Sequence, residues 1–155
     1  MPVGEVWPED KIKHMKDVVE KAGLTLEVIE SVNIHDDIKI GLPSRDQYIE
    51  NYIQTIKKLS KYGIKVICYN FMPIFDWTRT DLAFELEDGS TVLSYDQAIV
   101  DKIDPTNMVE SLTSNSNGFV MPGWESERLK EIKRLFEKYK DVDENKLTAN
   151  LTYFL

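Results

Sequence analysis

The sequence is poor in the residues that build cross-links and metal centres. It has one cysteine, Cys68, in 155 residues, so no intrachain disulfide can form. That fits a reducing cytoplasm and removes the disulfide-stapled classes of fold. It has two histidines, His14 and His35, and no grouping of His, Cys and carboxylates at metal-ligand spacing. No apolar run approaches the ~20 residues of a membrane-crossing helix, and no signal peptide opens the chain. Positive charge is also short: 19 Lys and Arg stand against 27 Asp and Glu, for a formal net charge of -8. Phosphate backbones demand a basic face, so this balance disfavours a nucleic-acid partner. What remains is 42% hydrophobic and 30% charged, the composition of one ordinary folded domain.

The chain carries a repeated helix–glycine–strand pattern. Pro8, followed by the acids Glu9 and Asp10, opens a helix through residue 21. Ile12, Met15, Val18, Val19 and Ala22 recur at helical spacing, and Gly23 is placed as its C-terminal cap. Residues 24–30 alternate and read as a strand. A long loop is expected over residues 30–45. Ser44 with Gln47 has the form of a capping box, and a second helix follows to Tyr62, its stripe formed by Tyr48, Tyr52, Ile53, Ile56 and Leu59. Gly63 ends it, and residues 64–69 read as a second, buried strand in which Cys68 is a small core side chain. Consecutive units of this kind place parallel strands in one sheet with helical crossovers.

Residues 82–95 differ. Asp88-Gly89 between two short apolar runs predicts an antiparallel hairpin, read as an insertion in the repeat. A short helix is expected over 96–103, turns over 104–117, an amphipathic helix over 124–140 and a last helix over 146–155. The expected organisation is α/β: a partial (β/α)8 TIM barrel in a single incomplete domain, residues 1–155, with no internal boundary. A complete barrel needs about 250 residues.

The chemistry concentrates after the second strand, in Tyr69-Asn70-Phe71-Met72-Pro73-Ile74-Phe75-Asp76-Trp77-Thr78-Arg79-Thr80. Ordinary turns are small and polar; this one holds an amide, a carboxylate, a guanidinium and four aromatic rings. Asn70 stands first after the strand, the face at which barrel enzymes act, and its amide can both donate to and accept from a hydroxyl. Arg79 can clamp a carboxylate bidentately or pair with Asp76. Phe71 and Trp77 suit the wall of a pocket that excludes water. His35 lies in the loop after the first strand, at the same face, while His14 sits among charged neighbours on a helix surface. Glu30 and Ser31 are placed at the end of the first strand.

That long segment resembles the corresponding segment of the mannonate dehydratases. So do Pro2-Val3-Gly4-Glu5-Val6-Trp7, Glu30-Ser31-Val32 with His35 and Lys39, and Pro122-Gly123-Trp124. The resemblance extends over essentially the whole chain. It implies a xylose-isomerase-like TIM barrel and a lyase of hexuronate and glucuronate catabolism that dehydrates D-mannonate to 2-dehydro-3-deoxy-D-gluconate. It implies Fe2+ or Mn2+ as cofactor, with histidine, cysteine and aspartate ligands in later barrel strands and none in this chain. It further implies that Asn70, Arg79, Asp76 and His35 hold a small sugar-acid substrate in a cytoplasmic enzyme, with no nucleic-acid or membrane partner. A homo-oligomer is compatible with it. Family members are more than twice this length, so an inactive amino-terminal fragment is expected. A sugar isomerase or epimerase of the same barrel class, and a truncated non-catalytic chain that needs a partner, are the alternatives.

Overall fold

In the computed structural model, residues 1–74, 79–102 and 134–155 are described. The chain divides into two compact units, Met1–Pro73 with Val142–Leu155, and Ile74–Asp141.

The first unit is built on helix α1 (Glu9–Lys21), strand β1 (Val28–Asn33), helices α2 (Asp36–Ile40) and α3 (Arg45–Lys61), strand β2 (Val66–Asn70) and a helix at the end of the chain, Glu144–Phe154. Pro8 caps α1 in an extended conformation, with Glu9 and Asp10 in the first turn. There their charges oppose the partial positive charge of the helix end. Strands β1 and β2 pair in parallel, as the repeat predicts, with Val32 opposite Tyr69 and Asn33 opposite Asn70.

The first strand begins later than its alternation suggests. Residues 24–27 lie outside it, and Leu24 is 64% exposed. Between Ile29 and Val32 the register shifts, because β1 advances three residues while β2 advances two, from Ile67 to Tyr69. This bulge turns both Ile29 and Val32 into the core, which strict period-two alternation forbids. Glu30 and Ser31 therefore sit mid-strand, and Asn33 ends it.

The loop expected over residues 30–45 is likewise shorter, for it contains α2. Gly41 follows α2 at φ 71° as a left-handed cap. Ser44 precedes α3 but makes no side-chain cap bond. Its hydroxyl donates instead to Asp37 Oδ2 at 2.6 Å, and Gln47 donates to Asn51 Oδ1 at 3.1 Å, so the capping box does not form. Ser44 also has helical backbone angles, φ -73° and ψ -9°, in place of the extended conformation from which an N-cap side chain accepts from the first turn.

The core of this unit joins Trp7, Ile12, Ile29, Val32, Leu59 and Ile64. Each such side chain contributes about 1.5–3 kcal/mol through burial. The stripe of α3 runs through Tyr48, Tyr52, Thr55 and Leu59, while Ile53 and Ile56 are exposed. Thr55 displaces Ile56 from the stripe because the amino-terminal segment needs its hydroxyl. Trp7 N–H donates to Thr55 Oγ1 at 3.2 Å, and that hydroxyl donates to Asn51 O at 3.0 Å. Lys58 and Asn51 add bonds to Trp7 O and Gly4 O, at 3.0 and 2.8 Å. Strand β2 is more open than a doubly covered barrel strand. Val66, Cys68 and Tyr69 are exposed, so Cys68 is not a core residue.

In the second unit, β3 (Asp81–Glu85) and β4 (Thr91–Ser94) form the antiparallel hairpin around Asp88-Gly89, and α4 (Gln97–Val100) follows. Asp88 Oδ1 accepts from Ser90 N–H at 2.9 Å and from the Ser90 hydroxyl at 2.6 Å. The side-chain and backbone bonds from Ser90 hold the Asp88 carboxyl below its usual range. Residues 134–139 are helical, with Leu135 and Tyr139 buried. The turns expected over 104–117 and the amino-terminal part of the helix expected over 124–140 lie outside the described residues.

The terminal helix, α5 (Glu144–Phe154), has Asp143 as its N-cap, whose side chain accepts from Lys146 N–H at 2.8 Å. The expected span of 146–155 thus extends two residues earlier, to the point where the aspartate can cap it.

Candidate functional site

The carboxyl ends of β1 and β2 converge on a pair of asparagines. Asn33 and Asn70 are direct register partners. Both leave a parallel strand at the same edge, where α/β folds bind ligands. Asn70 Oδ1 accepts from Met72 N–H at 2.9 Å, which fixes the direction of the chain as it leaves β2. Asn33 Oδ1 accepts from the Ser31 hydroxyl at 2.7 Å. Asn33 lines the same cleft as His35 and is not among the residues the sequence singles out. The signal for it was the repeat itself: each unit closes its strand with an asparagine followed by an apolar residue.

His35 follows two residues after Asn33 and caps α2. Its Nδ1 accepts from Asp37 N–H at 3.1 Å. The Asp37 carboxylate also approaches Nδ1, at 3.7 Å. The imidazole lies against the Tyr48 ring, with centroids 3.7 Å apart and planes 14° from parallel.

His35, Asn33 and Tyr48 line a small cleft together with Gly4, Glu5 and Tyr52. Tyr52 is half-buried. Burial pushes its phenol above the ordinary tyrosine value of 10.0, with smaller contributions from Tyr69 and Cys68. Gly4 closes one end at φ 80°. A Cβ there would stand 2.8 Å from His35 Cδ2 and 2.8 Å from Tyr48 Cδ1. The amino-terminal segment therefore has to present a glycine to the stacked rings.

The sequence-predicted residues divide accordingly. His35 and Asn70 are brought to one edge through Asn33. Phe71 sits beside Phe154, ring centroids 6.2 Å apart, so in this unit it packs against the terminal helix. Arg79 belongs to the second unit and is half-buried. Asp76 and Trp77 lie outside the described residues. His14 is exposed, as expected. Among the described residues no group of three or more His, Cys, Asp or Glu could hold a metal ion. Among them, too, no helix is long and apolar enough to cross a membrane.

Comparison with known proteins decides the family. The D-mannonate dehydratase (UxuA) family matches residues 1–155. The chain belongs to that family. It is 65% identical over 153 residues to the mannonate dehydratase of Brachyspira hyodysenteriae, covering 99% of this chain and 43% of the relative. It is 61% identical over 155 residues to the mannonate dehydratase of Geobacillus thermodenitrificans, covering 100% of this chain and 42% of that protein. The crystal structure of mannonate dehydratase from Streptococcus suis serotype 2 superposes with a TM-score of 0.76 at 41% identity, over 99% of this chain and 38% of that one. The chain thus spans about 43% of the length of the mannonate dehydratases it matches. At these identities the resemblance carried by the Tyr69–Thr80 segment and by Pro2–Trp7 is one of common family.

Proposed function

We propose that this chain is part of a mannonate dehydratase that converts D-mannonate to 2-dehydro-3-deoxy-D-gluconate and water in the cytoplasm. In this reading residues 1–155 form a single incomplete (β/α)8 barrel domain. Strands β1 and β2 are neighbouring barrel strands, and the hairpin is an insertion. The register pairing of Asn33 with Asn70, beside His35, carries the proposal. It sets hydroxyl-binding groups at the carboxyl edge of parallel strands, within a chain of this family.

Dehydration of a sugar acid takes the proton from the carbon beside the carboxylate and expels the hydroxyl from the next carbon. The resulting enol then becomes the 2-keto acid. Charge spreads into the carboxylate as the proton leaves, so a cation held there lowers the barrier. Arg79 is proposed to clamp that carboxylate and Asp76 to orient the clamp or a substrate hydroxyl. Asn70 and His35 are proposed to bind further hydroxyls, with Phe71 and Trp77 as walls. The Fe2+ or Mn2+ implied by the family has no ligand set among the described residues, so every role assigned here is one of binding.

The test is steady-state kinetics on the full-length protein supplied with Mn2+ or Fe2+. D-mannonate is consumed, and Arg79→Ala raises KM on the order of tenfold or more, as loss of a charge-assisted pair requires. Interconversion of aldose and ketose in place of dehydration would transfer the protein to the isomerase class. Turnover by the isolated 155-residue chain would refute its being an incomplete part.

A further inference from the structure

The His35 ring is held on three sides by groups that come from three different parts of the chain. Tyr48, in the first turn of α3, covers one face at a centroid distance of 3.7 Å. Gly4, from the amino-terminal segment, lies against the Cδ2 edge so closely that a Cβ would stand 2.8 Å away. The backbone N–H of Asp37 occupies Nδ1 at 3.1 Å. These constraints are independent, and together they define the orientation of the imidazole and its tautomer. With Nδ1 accepting, the ring proton resides on Nε2.

We propose that Tyr48 is a positioning residue for substrate recognition. Its stacked ring, with Gly4 at the shared edge, holds neutral His35 so that Nε2–H donates to an oxygen of the sugar acid. This inference rests on the proposed contact between His35 and substrate and adds to it a chemical role. A histidine whose Nε2 carries the proton is a hydrogen-bond donor and not a general base at that atom. Its partner is accordingly a carboxylate or hydroxyl oxygen of the substrate. The phenol hydroxyl of Tyr48 takes no part, because stacking uses the ring face.

The experiment uses the full-length protein with D-mannonate and Mn2+. Tyr48→Leu removes the aromatic face. It is expected to raise KM on the order of tenfold while kcat changes by less than about twofold, the pattern of lost binding shared by ground and transition states. Tyr48→Phe restores the wild-type KM. Gly4→Ala crowds the edge shared by the two stacked rings and raises KM as Tyr48→Leu does, so that two variants from separate elements report on one ring. In histidine-labelled protein, nitrogen NMR should show the Nε2–H tautomer at His35 in wild type and Tyr48→Phe, and a mixture of tautomers in Tyr48→Leu. An Nδ1–H tautomer in wild type overturns the proposal. So does an unchanged KM in Tyr48→Leu when His35→Gln raises it, which would leave the His35 contact itself standing. An unchanged KM in His35→Gln removes the substrate contact and this inference with it.

Discussion

The side-chain amide of Asn150 donates to the carbonyl of Lys39 at 2.9 Å, across 111 residues of sequence. Its other end, Oδ1, accepts from Arg45 at 3.3 Å. One buried amide thus joins α5 to α2 and to the start of α3. The contact is extended by the Arg45 guanidinium, 3.6 Å from the centre of the Tyr153 ring, and by the Tyr153 hydroxyl, which donates to Asp46 Oδ1 at 2.9 Å. Because His35 caps α2, the far end of the chain braces the helix that a candidate site residue caps.

Asn150→Ala should therefore destabilise the first unit. It removes the donor to Lys39 O and the acceptor for Arg45 at a position only 7% exposed. Loss of a buried hydrogen-bonded group costs about 1–3 kcal/mol. A lower urea midpoint with an unchanged slope is the expected result, since the slope follows the surface exposed on unfolding.

Gly41→Ala attacks the same joint from the opposite side. Gly41 adopts φ 71°, and a Cβ would stand 2.6 Å from Asn150 Oδ1. The left-handed conformation alone costs an alanine about 1–2 kcal/mol, and the clash adds to it. Combined with Asn150→Ala, which vacates the space, Gly41→Ala should cost less than it does alone. A double-mutant cycle by urea unfolding measures that coupling.

Thr55 offers a test of the amino-terminal anchor. Thr55→Val keeps the shape but leaves Trp7 N–H without its acceptor inside the protein, at a site 1% exposed. The expected cost is about 1–3 kcal/mol. Thr55→Ser keeps the hydroxyl and loses one methyl, for roughly 1 kcal/mol. Thermal unfolding should rank the three proteins wild type, Ser, Val in falling stability.

Tyr52 predicts behaviour in alkali. Burial raises its folded-state pKa above the ordinary value of 10.0, so the unfolded chain releases that proton first. The associated stability is complete below the unfolded value and is lost as pH rises from there through the folded one. Tyr52→Phe cannot ionise. Its stability should fall less steeply than wild type above about pH 10, as read from urea midpoints across that range.

Much of this arrangement was legible because it depends on neighbours in sequence. Helical spacing placed α1, α3 and α5, Pro8 marked the start of α1, and Asp88-Gly89 placed the hairpin, since these signals are local. The start of β1 was misplaced because alternation in residues 24–29 mimics a strand that pairing with β2 does not extend to. Its bulge, which turns Ile29 and Val32 to the same core, arises from that pairing and leaves no local mark. Ser44 was misread for a similar reason: its hydroxyl found Asp37, seven residues back, once α2 had formed. Asn70 and His35 were identifiable as polar residues after strands, whereas the pairing of Asn33 with Asn70 depends on a register that no local pattern marks.

The amino-acid sequence by itself determined the repeated helix–glycine–strand units, the hairpin, the family and the concentration of polar chemistry after β2. Those follow from periodicity, turn chemistry and a long segment of unusual composition. Tertiary structure alone decided that Gly4, His35 and Tyr48 share one site, and that Asn150 braces the helix His35 caps. Such contacts join residues far apart in sequence. They depend on the shape left between packed elements, which no local pattern encodes.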